Sequence, residues 1–462
     1  MEKIQKKIYY KSPHIVKNVL ASIIGFKNHK KRYGKHFSEY YNFLNNSKDF
    51  TLSQLKEYQF KELIKLIKHC YNKVPFYNQL FDNLNISINN ISSIDDIEKI
   101  PIIDKDTILK NKDEFISRNY NKKKLIPMHT SGTSGSGLQF YVSLKAWQKE
   151  YAFVWARRRN GVQKGEKRLT FNGRSIIPFE KEKPPFWINN YYSNQILFSQ
   201  YHMTEKNLKY YTEKINKTNY KYIEGYPSTI YIIADYILEN NITLNNYPKK
   251  IFTSSETLFE WQRDVIEKAF KSRIFDSYGT SELTTLITEC EYGNYHLNYE
   301  YGITELKKIS REDNEVKYEL ISTGFLNKAF PLLRYKIGDY ILIDESIKSC
   351  KCGAPGPVIQ RIEGRMEDII VTPSGRKIGR LDHIFKDMEK IKESQIVQET
   401  RDEISIKVVK RKGYSLKDEK KLLNEFKERL GEEIEYNIEY VKNIIRTSSG
   451  KFKAVISKVK GE

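Results

Sequence analysis

Apolar residues follow a helical spacing near the start of the chain. Residues 51–77 begin with a helix start signal at Thr51 and reach a helix breaker at Pro75, which predicts one amphipathic helix. Its apolar face consists of Leu55, Tyr58, Leu63, Leu66 and Ile67. Cys70 lies on the same stripe, so we expect it to be a core residue. We expect residues 1–110 to form a mostly helical lead-in.

From about residue 125 onward, strand-like and helix-like runs alternate. Strand-like runs begin near positions 168, 220, 249 and 272, and helical runs follow those at 220 and 249. This alternation predicts an α/β fold with a largely parallel sheet and flanking helices. After about residue 367 the order becomes two strands, a helix and a strand, which predicts a separate, small α+β domain.

Polar turns follow several of these strands, at 131–137, 254–256 and 278–282. In open α/β sheets, ligands bind at the carboxyl ends of the strands. The turns therefore predict where a ligand site lies, although each of them alone has a common turn composition.

The bulk composition is that of a globular protein with more than one domain. The chain has 462 residues, of which 39% are hydrophobic and 30% charged. It contains no apolar run of 18 residues, and "MEKIQKKIYYKSPH" lacks the apolar segment of a secretory signal. We therefore expect a cytoplasmic protein.

The formal net charge of +21 raises the question of an acidic partner. The lysines are spread through helical segments and no nucleic-acid-binding motif is present, so we expect no nucleic-acid partner. The basic N-terminal segment contains the apolar run 16–26 and leaves two interpretations open. It is either an ordinary helix packed on the body or an amphipathic helix that contacts the inner face of the membrane through anionic lipid.

Three of the four cysteines fall into a pattern of metal ligands. Cys290 and His296 lie six positions apart, and Cys350 and Cys352 flank one residue before a glycine. Three thiolates and an imidazole form a tetrahedral structural zinc site. The alternative interpretation is three scattered free thiols, because the spacing between Cys290 and His296 is looser than usual.

Five short motifs occur in order along the chain, and each is ambiguous alone. They are "TSGTSGSG" at 130–137, "YGTSE" at 278–282, "RYKIGDY" at 334–340, "IEGRMEDII" at 362–370 and "RTSSGKFKA" at 446–454. The first frees backbone N–H groups and hydroxyls for phosphate oxygens, but it lacks the Lys-Ser/Thr of a Walker loop.

Together the five motifs resemble those of the AMP-forming adenylating superfamily, which contains acyl-CoA synthetases, luciferases and peptide-synthetase adenylation domains. The segments "VPFYNQLF", "IPIIDKDTILKNKDEF", "GYPST" and "SSETL" are similar to the phenylacetate–CoA ligase branch. That branch includes the CapK-type proteins of surface-polysaccharide gene clusters. The resemblance covers nearly the whole chain.

The resemblance implies a nucleotide site drawn from separate segments. The loop over the β- and γ-phosphates of ATP would consist of Ser131, Gly132, Thr133, Ser134 and Gly135. The groups around adenine and ribose would be Ser255, Glu256, Tyr278, Gly279, Asp339 and Arg365. Among these, Glu256 would line the adenine pocket, Tyr278 would stack on adenine, and Asp339 would hold the ribose hydroxyls.

The resemblance also implies the groups that carry the chemistry. Glu282 would bind Mg²⁺, and Lys451 would be the catalytic lysine near the C-terminus. Ser281 would contact the α-phosphate, at a position where the family usually has threonine. Glu367 would mark the hinge between an adenylation domain at 1–366 and a mobile C-terminal lid at 367–462.

The implied activity is the activation of a small carboxylic acid by ATP as an acyl adenylate. The acceptor stays open among CoA, a carrier-protein thiol and an amine on an amino acid or sugar, and the CapK-type resemblance favours surface-polysaccharide decoration. Two alternatives remain: a dedicated aryl-acid CoA ligase, and a non-catalytic nucleotide-binding scaffold. Tyr201, His202 and residues 225–228 are candidates for the wall of the acid pocket.

Overall fold

The computed structural model describes residues 9–129, 138–178, 180–365, 370–373, 377–378, 381, 384, 388, 390–447 and 452–459. Its α-helices are α1 His14–Arg32, α2 Lys35–Ser47, α3 Leu52–Lys73, α4 Pro75–Asn83, α5 Lys105–Lys110, α6 Leu144–Phe153, α7 Glu205–Asn216, α8 Pro227–Glu239, α9 Glu260–Phe270 and α10 Leu416–Leu430. A π-helical turn at Val154–Arg158 continues α6.

Four sheets hold the strands of the described residues. The large sheet contains β3 Arg168–Asn172, β4 Trp187–Asn190, β5 Gln195–Ser199, β6 Tyr222–Gly225, β7 Lys250–Ser254, β8 Ile274–Gly279, β9 Leu286–Glu289, β10 Tyr295–Leu297, β11 Gly302–Glu312, β12 Glu315–Gly324, β13 Tyr335–Asp344 and β14 Ile359–Arg365. The small sheets contain β1 Ile126–His129 with β2 Gln139–Val142, β15 Ile370–Val371 with β16 Lys377–Ile378, and β17 Ile391–Gln398, β18 Glu403–Lys410, β19 Glu435–Tyr440 and β20 Val455–Ser457.

The predicted α/β class is confirmed, and the large sheet is mixed. Its strand order is β11-β12-β13-β14-β10-β9-β8-β7-β6-β3-β5-β4. The five neighbours β5, β3, β6, β7 and β8 are parallel, and α7, α8 and α9 return the chain from β5 to β6, from β6 to β7 and from β7 to β8. The strands after β8 pair antiparallel. The expectation of a largely parallel sheet therefore holds for these five strands only.

Helix α3 shows how the local sequence fixes an element. Thr51 and Gln54 form a capping box at its start, and Pro75 opens the next helix. Its buried residues are Leu55, Gln59, Leu63, Leu66, Ile67 and Cys70. The predicted face and the core position of Cys70 are confirmed, with the difference that Tyr58 is only partly buried.

The C-terminal sheet, β17–β20 with α10, has its own apolar core. Leu422, Phe426 and Leu430 of α10 pack on Ile404, Ile406 and Val408 of β18. The predicted order of two strands, a helix and a strand is observed. The proposed division at 366/367 falls outside the described residues and stays a prediction.

Helix α1 packs on the body, as the first of the two interpretations of the N-terminal segment expects. Its buried residues are Lys17, Asn18 and Gly25, while its large apolar side chains other than the half-buried Leu20 are exposed. Most of the hydrophobic run therefore stays outside the core, although Ala21 packs against it. In the part of the chain that the structure describes, each helix is too short or too polar to cross a bilayer.

Candidate functional site

Two neighbouring parallel strands bring two of the predicted turns together. Ser254 of β7 pairs with Ser277 of β8, so the turns that follow both strands lie side by side at the carboxyl edge of the sheet. Ser255 adopts a φ of 73°, a left-handed conformation that non-glycine residues rarely take. Such backbone strain concentrates at ligand-binding turns.

Glu256 links this turn to two other segments. Its Oε2 accepts a hydrogen bond from the backbone N of Ser228 at 3.2 Å, and its Oε1 accepts one from the backbone N of Phe452 at 2.6 Å. Burial raises the pKa of the Glu256 carboxyl above its ordinary value, against the opposing effect of these hydrogen bonds. Phe452 directly follows Lys451 in the sequence.

Tyr278 and Asp339 are joined directly. The Tyr278 hydroxyl donates a hydrogen bond to Oδ2 of Asp339 at 2.6 Å, across 61 positions of sequence. Asp339 lies on β13 opposite Arg365, which ends β14. Three residues predicted to surround adenine and ribose therefore lie on strands that bring them together.

Glu282, which lies between β8 and β9, is a buried carboxylate, only 6% exposed. The hydroxyl of Tyr335 donates to its Oε1 at 3.2 Å. A carboxylate oxygen is the type of ligand that Mg²⁺ prefers, so this residue fits the predicted role. Ser281 beside it is exposed.

Gly279 allows a close approach of Arg158, the last residue of the π-helical turn. A Cβ at position 279 would lie 2.4 Å from Nη2 of Arg158, so any side chain there would displace the guanidinium. Arg158 also pairs with Glu150 at 3.2 Å. π-Helical turns are frequent at functional sites.

Seven of the predicted site residues lie outside the described residues: Ser131, Gly132, Thr133, Ser134, Gly135, Glu367 and Lys451. Their assigned roles stay predictions.

The predicted metal ligands converge in space. One ligand atom from each of Cys290, His296, Cys350 and Cys352 lies within 4.8 Å of all the others. Sγ of Cys290 is 3.7 Å from Sγ of Cys350, and Sγ of Cys352 is 3.3 Å from Nε2 of His296. Backbone pairing of β9, β10 and β14 brings the two halves of the cluster together.

One of the residues predicted to form the wall of the acid pocket is already fully hydrogen-bonded within the protein. Both ring nitrogens of His202 are occupied, Nδ1 by Oγ of Ser199 at 2.8 Å and Nε2 by the carbonyl of Pro178 at 3.0 Å. His202 therefore has the contacts of a core histidine and not of a catalytic base. Ser228 is buried at the start of α8, where its backbone N donates a hydrogen bond to Oε2 of Glu256.

Sequence reasoning missed a charged contact between the body and the C-terminal sheet. Arg411 pairs with Asp235 at 2.6 Å and with Glu239 at 2.5 Å, both on α8. Tyr231 of the same helix donates its hydroxyl to the carbonyl of Lys392 at 3.2 Å. We call the Arg411, Asp235 and Glu239 group the latch. An aspartate within the apolar run of α8 was the available signal.

Two further missed residues had signals in the sequence. Tyr335 lies inside the quoted "RYKIGDY" motif but received no role there. Arg158 is the middle of three consecutive arginines, 157–159, of which Arg157 pairs with Glu300 and Arg159 with Glu224.

The chain matches one family model and one relative in sequence, as follows. The family model described as the CapK C-terminal domain matches residues 370–458. Protein CapK of Staphylococcus aureus is 35% identical over 468 residues, covering 98% of this chain and 99% of the relative.

Solved structures share the fold. A 2-hydroxyisobutyryl-CoA ligase in the postadenylation state aligns with a TM-score of 0.68 and 15% identity, covering 90% of this chain and 92% of that chain. The ligase with 2-HIB-AMP and CoA in the thioesterification state aligns with a TM-score of 0.57 and 16% identity, covering 89% and 91%. At such low identities the likeness shows a common fold.

Proposed function

The chain belongs to the CapK family within the AMP-forming adenylating superfamily, and from this membership we propose that it activates a carboxylic acid. In the proposed reaction, ATP and the acid form an acyl adenylate with release of pyrophosphate. The acyl group then passes to a nucleophilic acceptor.

One observation carries the proposal. The residue that directly follows Lys451 donates its backbone N–H to Glu256, which the resemblance assigns to the adenine pocket. Phe452, near the C-terminus, thus contacts the turn that follows β7, although 196 positions separate it from Glu256. An adenylating enzyme needs such a contact, because its catalytic lysine belongs to the C-terminal region and its nucleotide pocket to the body.

Two of the described carboxylates, Asp339 and Glu282, would contact different parts of the nucleotide–metal complex. Asp339 would accept hydrogen bonds from the ribose hydroxyls, with Tyr278 held beside it by their hydrogen bond. Glu282 would hold Mg²⁺, which when bound would offset negative charge on the phosphate oxygens. Tyr335 fixes the position of the Glu282 carboxylate.

The proposed first step needs positioning and charge stabilisation. A carboxylate oxygen of the acid bonds to the α-phosphorus, the bond from that phosphorus to the bridging oxygen breaks, and pyrophosphate leaves with the electron pair. The acid is already ionised at neutral pH, so no general base is required. The ammonium group of Lys451 would stabilise the charge that develops on the oxygens.

Ser228 is our candidate for the residue that orients the acid. It is buried at the start of α8, and its backbone N donates a hydrogen bond to Glu256. Its hydroxyl is a hydrogen-bond donor next to the turn that carries Glu256, which suits the carboxylate of a bound acid.

The acceptor and the pathway are the finer part of the proposal. One structural neighbour is named as a complex with an acyl adenylate and CoA, which supports a thiol acceptor. The CapK relationship supports an amine on an amino acid or sugar in surface-polysaccharide assembly. A dedicated aryl-acid CoA ligase is the second candidate.

We also propose that Cys290, His296, Cys350 and Cys352 hold a structural zinc ion. Their number, chemistry and proximity suit a closed tetrahedral site. The ion would tie the turn after β9 to the loop after β13. It would thereby brace the strands that carry Tyr278 and Asp339.

The test is pyrophosphate release from ATP and Mg²⁺ against aryl acids, short fatty acids, amino acids and uronic acids. Each acid is tried with and without CoA and with an amine acceptor. We expect release that depends on one class of acid, and turnover that depends on one class of acceptor. ATP cleavage to ADP and phosphate would contradict the proposal.

A further inference from the structure

Helix α1 packs on the body through polar and small residues. Oδ1 of Asn18 accepts a hydrogen bond from the backbone N of Asn189 at 2.9 Å, and Oγ of Ser22 accepts one from the backbone N of Tyr191 at 3.0 Å. A Cβ at Gly25 would lie 2.4 Å from Oδ1 of Asn190, so the helix approaches β4 closely there. The inward face of α1 is therefore fixed by specific contacts.

The opposite face of α1 is apolar and open to solvent. Its exposed side chains, with their exposed fractions, are Ile15 76%, Val16 41%, Val19 50%, Ile23 45%, Ile24 44% and Phe26 40%. The patch continues onto Tyr191, 69% exposed, and Tyr192, 45% exposed, whose ring meets that of Phe26 edge-on at 5.2 Å. We call these eight residues the outward apolar face. A contiguous patch of this kind marks a protein or membrane contact.

The charges around the outward apolar face indicate which contact. Residues 14–32 contain no aspartate or glutamate, and the exposed Lys27, Lys30 and Lys31 lie at the C-terminal end of the face. Nζ of Lys30 is 4.5 Å from the centre of the Phe26 ring. Apolar side chains with interleaved lysines and tyrosines are typical of helices that lie in the interface of an anionic bilayer.

We propose that the outward apolar face docks the protein on an anionic lipid bilayer, with α1 parallel to the membrane plane. The apolar side chains would enter the boundary between headgroups and acyl chains, and the lysines would contact the anionic headgroups. This inference does not rest on the proposed enzymatic activity. The helix would lie on the membrane and not cross it, because no described helix meets the requirements of a spanning segment.

The test is co-sedimentation of the full chain with vesicles of equal parts phosphatidylglycerol and phosphatidylcholine, and with vesicles of phosphatidylcholine alone. The double variant Val19→Ser/Ile23→Ser should bind the anionic vesicles at least about tenfold more weakly, since two inserting side chains are lost. Leu416→Ser is the matched control, because Leu416 is 74% exposed on α10 and lies outside the face. It should bind as the parent does, and added salt should weaken binding of both.

Three results would overturn the proposal. The parent could fail to sediment with anionic vesicles, or the double variant could bind them as tightly as the parent. In the third, light scattering shows that the parent is a dimer and the double variant a monomer, while both bind vesicles equally. The outward apolar face would then be a contact between two copies of the chain. Equal melting temperatures of the three proteins establish that the fold is intact.

Discussion

The Cys/His cluster and the Glu256–Phe452 junction both join segments that are far apart in sequence, and they do so in different ways. The cluster lies within the large sheet, where backbone pairing of β9, β10 and β14 holds its halves together. The junction is a hydrogen bond from the backbone N of Phe452, just before β20, to the side chain of Glu256 in the body, and the latch also joins the C-terminal sheet to the body. The cluster is held by strand pairing within the large sheet, whereas the junction depends on how the C-terminal sheet packs against the body.

Because of this difference, we expect variants of the cluster to change stability and variants of the junction to change catalysis. Removing a cluster ligand should weaken the body without directly touching a reacting group. Removing a group at the junction should slow adenylation and leave the body folded, because the large sheet has its own core. Four variants test this division, in order of decreasing effect.

The largest effect is expected for Lys451→Ala. Loss of one group that stabilises developing charge typically slows a reaction by two to three powers of ten, or about 3–4 kcal/mol. The rate of acyl-adenylate formation should fall by this amount, measured by pyrophosphate release. The exposed Lys442→Ala is the matched control and should keep the parental rate. Parental adenylation by Lys451→Ala would remove the lysine from the mechanism.

Cys352→Ser should affect the body and not the chemistry. It removes one of four ligands, so zinc content and melting temperature should fall together, by about 2–4 °C per kcal/mol lost. Metal analysis and thermal unfolding of the same samples measure both. Tyr292→Ala, in the turn between two ligands and 52% exposed, should change neither. Purified parental protein without zinc would contradict the metal assignment.

Arg411→Gln tests the latch. It leaves Asp235, whose side chain is 4% exposed, without its closest cation, at a cost of about 1–3 kcal/mol to the seating of the C-terminal sheet. Adenylation should slow more than transfer to the acceptor, by single-turnover measurements of each step. Arg429→Gln, which breaks a pair within α10, is the control and should cost at most about 0.5 kcal/mol. Equal slowing of both steps would contradict the latch.

The smallest effect concerns pH. Burial raises the pKa of the Glu256 carboxyl, so this group binds a proton more readily in the folded protein than in the unfolded chain. Its contribution to stability should therefore be greatest at low pH and decline as the pH rises from the ordinary glutamate pKa through the raised one. The melting-temperature difference between the parent and Glu256→Gln should decline over that range. A difference that grows with pH would contradict this assignment.

Local pattern was sufficient for most elements. The alternation of strands and helices predicts β6–α8–β7–α9–β8, and the capping residues of α3 predict its ends, because both depend on neighbours in sequence. The clustering of Cys290, His296, Cys350 and Cys352 also followed from ligand chemistry.

Contacts between distant segments were beyond local pattern. The orientation of α1 depends on Asn189 and Tyr191, about 170 positions away, so the sequence left two interpretations of this helix open. The partners of Glu282 and Glu256 depend on which strands become neighbours in the sheet. The ion pair of the latch likewise depends on how two units meet.

The most direct test of the central claim follows oxygen from the acid. An acid that supports pyrophosphate release is labelled with ¹⁸O in its carboxylate, and the AMP formed after complete transfer to the acceptor is analysed by mass spectrometry. If the carboxylate attacks the α-phosphorus, one labelled oxygen from the acid appears in AMP. Unlabelled AMP, or label in inorganic phosphate, would contradict the formation of an acyl adenylate.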